Sequence, residues 1–203
     1  MFDWQSLDKK GEKMTKPKQI HIIAGPNGAG KSSSARIVLL PNWLQTNEFI
    51  NADEIAKNLS PRDPQKSAIA AGRLMLKRIH CLMGGGIDFA FETTLSAKIY
   101  INLIKKSQEI GYKVNLIFLY LENEELARSR VLSRVSKGGH DIEPTVIKRR
   151  FTRGLANLKE YVKIVNTATI YDASSLELKE IIKKEDEKIT VLDKNLWKKI
   201  YEF

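Results

Sequence analysis

The chain has 203 residues, 42% hydrophobic and 29% charged, with a net charge of +10; this excludes a disordered chain and leaves enough apolar material for one well-buried domain. No apolar run approaches the ~18 residues of a membrane-spanning helix, and the opening Met1-Phe2-Asp3-Trp4-Gln5 lacks the basic-then-apolar order of a secretory signal. Cys81, the one cysteine, cannot form an internal disulfide, which fits a reducing, cytoplasmic setting.

In chain order, residues 1–17 read as an N-terminal arm and residues 18–203 as one domain. Gln19 to Ala24 is short, β-branched and apolar, the pattern of a buried strand. Gly25 to Gly30 interrupts it, and Lys31 to Leu40 has a helical pattern. Phe49 to Ala52 reads as a second strand, Pro64 to Met83 as a helix stopped by Gly84-Gly85-Gly86, and Ile87 to Phe91 as a third strand. A helix over Ala97–Ile110, a strand over Lys113–Leu121, helices over Asn123–Val135 and Thr145–Val165, a strand over Thr167–Asp172 and a helix over Asn195–Tyr201 complete the order. The charged stretch Lys183 to Lys188 shows no element of its own. Strands alternating with helices predict an α/β fold: a mostly parallel sheet covered on both faces, with ligands at the C-terminal ends of its strands.

Gly25-Pro26-Asn27-Gly28-Ala29-Gly30-Lys31-Ser32 matches G-x-x-x-x-G-K-[ST] at every position, between a predicted strand and a predicted helix. Glycines permit positive φ and close approach, so the loop's N–H groups can turn inward as an anion nest. The helix start at Lys31 adds its positive dipole end. Lys31 is placed to reach the β- and γ-phosphates, the Ser32 hydroxyl to ligate Mg²⁺, and Ser33 to line the same cradle. The expected cofactors are ATP, with GTP as the alternative, and Mg²⁺.

Two acids follow predicted strands on the ligand edge. Asp53 suits a general base that takes the proton of an attacking hydroxyl, or a carboxylate holding Mg²⁺ through water; it also suits a cap for a helix beginning at Glu54. Glu92, with Thr93, suits Mg²⁺ or a substrate hydroxyl, or a strand-end acid capping a turn. The apolar strand ending at Leu121 carries no internal Asp of the Walker B kind, which disfavours a motor or transporter ATPase. No cysteine–histidine cluster suggests zinc. His21 on its strand reads as a core residue and His80 as an ordinary helical one.

Ten Lys/Arg and three Asp/Glu lie between Leu126 and Lys163. Arg128, Arg130, Arg134, Lys137, Lys148, Arg149, Arg150 and Arg153 flank Gly138-Gly139-His140, a helix–hinge–helix pattern. Such a block is either a solvated face or a lid, at about residues 126–153, whose arginines stabilise transferred charge. Arg130 and His140 are candidates to bind the substrate.

The ordered set Ala24-Gly25-Pro26-Asn27-Gly28-Ala29-Gly30-Lys31-Ser32, Ile50-Asn51-Ala52-Asp53, Phe91-Glu92-Thr93-Thr94-Leu95, Arg130-Val131, Arg134-Val135, Gly138-Gly139-His140, Ile147-Lys148-Arg149-Arg150-Phe151 and Tyr171-Asp172-Ala173-Ser174 resembles the zeta-toxin group of P-loop kinases, in its small single-domain form. The resemblance implies that Asp53 is the general base, Lys31 the phosphate-binding lysine, and Arg134 and Arg150 the γ-phosphate clamp, with Arg130 and Arg149 as the alternatives. It also implies UDP-N-acetylglucosamine as acceptor and a small antitoxin protein as partner. Ala173 departs from the family's Asn, and the chain lacks the extra segments with which larger toxins build the sugar site.

The leading expectation is a cytoplasmic Mg²⁺-dependent kinase acting on a hydroxyl of a small anionic acceptor. The alternatives are a polynucleotide or RNA kinase, which the basic block favours and the 8% aromatic content disfavours, and a non-catalytic nucleotide-dependent toxin–antitoxin module. No membrane partner is expected.

Overall fold

The computed structural model describes residues 17–35, 48–139 and 141–203. The greater part of the predicted arm, the predicted helix beyond Ala35, and His140 lie outside the described residues. The strands are β1 (Gln19–Ala24), β2 (Phe49–Ile50), β3 (Phe89–Thr93), β4 (Lys113–Tyr120), β5 (Thr167–Asp172), β6 (Lys179–Glu185) and β7 (Lys188–Val191). They form one seven-stranded sheet in the order β2-β3-β1-β4-β5-β6-β7. The first five strands pair in parallel, and β6 and β7 add an antiparallel border.

The helices are α1 (Lys31–Ser34), α2 (Ala52–Leu59), α3 (Ala68–Gly84, entered by a 3₁₀ turn at Pro64–Ser67), α4 (Ile99–Glu109), α5 (Glu124–Val135), α6 (Pro144–Ile164) and α7 (Lys194–Glu202). Central strands are buried on consecutive residues: Ile22, Ile23 and Ala24 on β1, Phe89, Ala90 and Phe91 on β3, and Leu116 to Tyr120 on β4. Consecutive burial requires cover on both faces of the sheet, as the alternation of elements predicts.

Several boundaries differ from expectation by a few residues, and two near the site have a clear local reason. The second strand stops at Ile50 instead of Ala52, because Asn51 is the N-cap of α2. The third strand starts at Phe89, not Ile87. The N–H of Ile87 returns to the Leu82 carbonyl, and Gly86 takes φ 62°, so Ile87 still belongs to the stop of α3. Glu92 and Thr93 are therefore the last two residues of β3. The charged tail forms the β6–β7 hairpin. Ile181 and Ile182 are fully buried there. Lys184 is buried too, its ammonium donating to the carbonyls of Val165 and Lys163 at the end of α6, where cations satisfy orphan carbonyls. His21, expected in the core, is half-buried; burial pushes its pKa down to about 4, against the opposing pull of Asp88. His80 is an exposed helical residue whose ring contacts the Leu76 carbonyl.

Candidate active site

Strand register decides which side chains meet. β1 lies between β3 and β4, where the connectivity changes sides, and a crevice opens above such a point. Ile23 pairs with Glu92 and Ala24 with Thr93, so the loop leaving β1 starts beside the last residues of β3. Ile50 pairs with Phe91, which sets Asn51 level with Glu92.

The loop has the backbone that the motif demands. Gly25, Gly28 and Gly30 take φ of 143°, 80° and 84°. Space matters as much as conformation: a Cβ on Gly25 would stand 2.5 Å from the Leu119 carbonyl oxygen, and one on Gly28 2.6 Å from that of Ala127. Pro26, Asn27 and Ala29 are buried, Ala29 donating to the Pro26 carbonyl, while Ser33 lies exposed at the cleft edge. The Oδ1 of Asn27 is buried without a partner among the described residues, a polar atom that bound ligand or water satisfies.

Lys31, Ser32, Asn51 and Glu92 form one polar cluster beneath the loop. Ser32 Oγ donates to Glu92 Oε2 at 2.6 Å, and Asn51 Nδ2 donates to the same oxygen at 2.9 Å. Lys31 Nζ donates to the Pro26 carbonyl at 2.9 Å and lies 3.6 Å from Glu92 Oε1. Burial holds the Lys31 ammonium below its usual pKa; Glu92 and Asp53 pull it back up, and Arg150 pushes it further down.

Asp53, half-buried on the first turn of α2, borders several adjoining spaces, two of which also take in Asn27, Lys31 and Glu92. The phosphate cleft, about 510 Å³, runs between the loop, Glu92, and Arg130, Arg134, Lys137, Gly138 and Gly139. A smaller hollow, about 210 Å³, lies past Lys31 and Glu92, lined by Asn51, Thr93, Thr94, Ser96, Tyr100 and Arg150 among others. Asp53 is not the cap of α2: that role falls to Asn51, whose Oδ1 accepts from the Asp53 N–H at 2.8 Å. The carboxylate of Asp53 is thus left to the space it borders.

Helix α6 shapes the far wall. Arg150, Gly154, Asn157 and Tyr161 follow one another at helical spacing on one face. Asn157 Nδ2 donates to the Leu95 carbonyl at 2.8 Å, and the Tyr161 hydroxyl donates to the Ala97 carbonyl. At Gly154 the helix touches the loop so closely that a Cβ would lie 2.4 Å from the Thr94 carbonyl oxygen. Leu95 holds φ 54°, an uncommon state for a branched residue; these contacts and its complete burial maintain it.

The structure brings Arg134 and Arg150 to different spaces. Arg134 is exposed on the phosphate cleft and Arg150 half-buried in the hollow. Arg130 borders the cleft, but its guanidinium is engaged elsewhere. Its two terminal nitrogens each donate at 2.7 Å, to the carbonyls of Ala173 and Ser174. Arg128, Lys148, Arg149 and Arg153 are exposed. Helix α5 ends at its glycines as expected, Gly138 at φ 80° and the Gly139 N–H on the Arg134 carbonyl. The sequence names Asn51 only within the Ile50–Asp53 segment and gives it no role, and it gives none to Tyr100, Gly154, Asn157 or Tyr161; the regular spacing of the last three along α6 is the signal available.

A hydroxyl and a carboxylate in direct contact, with Asp53 bordering the same cleft, are hard oxygen donors. No cluster of three or more acidic, histidine or cysteine side chains suited to a metal occurs among the described residues. That donor set fits Mg²⁺, which uses one or two protein oxygens together with phosphates and water.

A family model described as Zeta toxin matches residues 5–196. An uncharacterized protein of Haemophilus influenzae is 32% identical over 130 residues, 64% of this chain and 90% of that protein. A solved structure of AvrRxo1-ORF1:-ORF2 with ATP superposes with a TM-score of 0.69 at 18% identity, covering 97% of this chain and 66% of that chain. This chain therefore spans just under two thirds of that longer relative. The PezAT chromosomal toxin–antitoxin system of Streptococcus pneumoniae superposes with a TM-score of 0.63 at 18% identity, covering 98% of this chain and 88% of that one. At such identities the two superpositions speak for a shared fold, and no helix of the described residues is long and apolar enough to cross a membrane.

Proposed function

Because the chain belongs to the zeta-toxin family, we propose that it is an ATP- and Mg²⁺-dependent phosphotransferase that moves the γ-phosphoryl group to a hydroxyl of a small anionic acceptor. The observation that carries the proposal is the position of Asp53, which borders both the phosphate cleft and the hydroxyl-lined hollow beside it. A general base must reach both the acceptor proton and the line of attack on the phosphorus.

The loop from Gly25 to Ser33 binds the phosphates through its backbone N–H groups, of which Pro26 supplies none, and Lys31 turns from the Pro26 carbonyl toward the β- and γ-oxygens. Ser32 and Glu92 would hold Mg²⁺, which would supply positive charge to those oxygens when bound. In the hollow, Thr93 and its neighbours orient the acceptor. Asp53 takes the acceptor proton, and the new oxygen–phosphorus bond forms as the bond to the leaving diphosphate breaks. Arg134 from the nucleotide side and Arg150 from the acceptor side stabilise the charge on the transferred group. Residues 126–153 act as a lid hinged at Gly138-Gly139. Arg130 anchors that lid to the loop after β5.

A nucleotide-sugar such as UDP-N-acetylglucosamine is the acceptor to test first. A third space, about 260 Å³, shares Ala52, Asp53, Ala68 and Arg150 with the hollow and extends past Ile142 and Val146. The joined spaces suit a sugar at Asp53 and a longer tail beyond Arg150. A small antitoxin protein is the proposed partner, by analogy with the PezAT toxin–antitoxin system.

The test is ATP turnover by the purified protein with Mg²⁺, with and without UDP-N-acetylglucosamine, following the product by mass. The expected result is a gain of one phosphate. Asp53→Asn should lower its rate by roughly 10²–10⁴-fold and retain ATP binding. Absence of any phosphorylated product across a panel of nucleotide-sugars, with ATP still bound, overturns the acceptor class.

A further inference from the structure

Asn51 lies outside the phosphate loop and is not an acid, yet it touches both halves of the site. Its side chain belongs to a residue only 6% exposed. One end makes a helix cap, Oδ1 accepting from Asp53 N–H at 2.8 Å. The other end, Nδ2, donates to Glu92 Oε2 at 2.9 Å and lies 3.4 Å from Ser32 Oγ. Chemistry sets which way the amide points: a backbone N–H must meet its oxygen and a carboxylate must meet its NH₂.

A cap needs only an acceptor, and Ser, Thr or Asp serve as well as Asn. The buried donor is the feature the cap leaves unexplained. Parallel pairing of Ile50 with Phe91 aims it at Glu92.

We propose that Asn51 is a positioning residue that locks the Glu92 carboxylate against Ser32 and ties both to the helix turn carrying Asp53. It rests on the reading of Ser32 and Glu92 as the Mg²⁺ donors and Asp53 as the base. Two donors on Oε2 fix the rotation of the carboxylate. With the amide removed, Glu92 turns toward Lys31, already 3.6 Å from Oε1, and the cleft loses a pre-oriented oxygen. Partners that orient such donors typically govern metal affinity.

The test uses Asn51→Ser and Asn51→Thr, which keep a cap acceptor and lack a donor long enough to reach Glu92. ATP affinity is measured in EDTA and across a Mg²⁺ series, and the thermal midpoint is measured without ligand. The expected result is a folded protein whose midpoint falls by only a few degrees for the lost buried hydrogen bond, unchanged ATP affinity in EDTA, and roughly 10–100-fold more Mg²⁺ needed for half of the metal-dependent gain. Wild-type Mg²⁺ dependence in a folded variant overturns the proposal. An equal loss of ATP affinity with and without Mg²⁺ overturns it too, as that marks a general structural defect. If wild-type protein gains no ATP affinity from Mg²⁺, the underlying metal reading fails instead. The binding readout is independent of which acceptor the protein uses.

Discussion

The Lys31 ammonium stands 3.6 Å from the Glu92 carboxylate, with side chains only 6% and 10% exposed. Burial makes this pair costly to break from one side alone. Glu92 retains donors from Ser32 and Asn51, so Lys31→Met should destabilise by on the order of 2–3 kcal/mol. Adding Glu92→Gln should return most of that loss in a urea titration while ATP binding stays abolished. Equal instability of the single and double variants would argue that the pair has no coupling.

Gly154 reverses the usual rule for helices. Glycine inside a helix normally costs about 1 kcal/mol relative to alanine. Here the added Cβ would meet the Thr94 carbonyl oxygen at 2.4 Å, a backbone atom that cannot swing aside. Gly154→Ala should therefore destabilise by about 1–3 kcal/mol and lower transfer, because α6 also carries Arg150. A stabilised variant in equilibrium unfolding would contradict the close contact.

Arg130 on the cleft and Arg150 in the hollow should separate by assay. Arg130→Lys loses a fork that holds the Ala173 and Ser174 carbonyls, so it should cost roughly 1–3 kcal/mol of stability with a modest change in kcat. Arg150→Lys should do the opposite, leaving the unfolding midpoint in place and lowering kcat by about 10²-fold or more. Parallel measurement of both quantities on both variants decides it.

His21 predicts an acid-sensitive fold. Burial lowers its folded pKa to about 4 from the ordinary 6.5, so between those values the unfolded chain binds more protons. Stability therefore rises with pH across that window and falls as the solution is acidified through it. The histidine's share is on the order of 2–3 kcal/mol. Denaturation midpoints at pH 7 and pH 4.5 should converge more closely in His21→Val than in the wild type.

Legibility in the sequence followed the range of the interactions. Gly25 to Ser32 could be read because a strand, a turn and a helix start act on neighbours along the chain. Thr167–Asp172 was read to the residue, since an apolar strand between turn signals needs no distant partner. Asn157 and Tyr161 were invisible, and Asn51 was legible only as part of a motif, because the partners that give them roles lie 62, 64 and 41 residues away. The same residues in another register would be ordinary polar surface. The β6–β7 hairpin hid for a different reason. Its exposed residues are mostly lysines and glutamates, as a sheet border requires, and Ile181 and Ile182 are the buried apolar residues of β6 among them. Arg130 and Arg134 share a helix face in sequence, and only the carbonyls of Ala173 and Ser174 separate their roles.

Two spaces that share Asp53 as a common wall also imply a kinetic scheme. Under the proposed transfer, a nucleotide in one and an acceptor in the other would not pass through each other's position, so binding in either order would lead to the same ternary complex. A single compound bridging the two, with a phosphate chain joined to a sugar across the carboxylate, would profit from the high effective concentration of its second half. Its length at best affinity would serve as a molecular ruler for the gap across which the phosphoryl group travels.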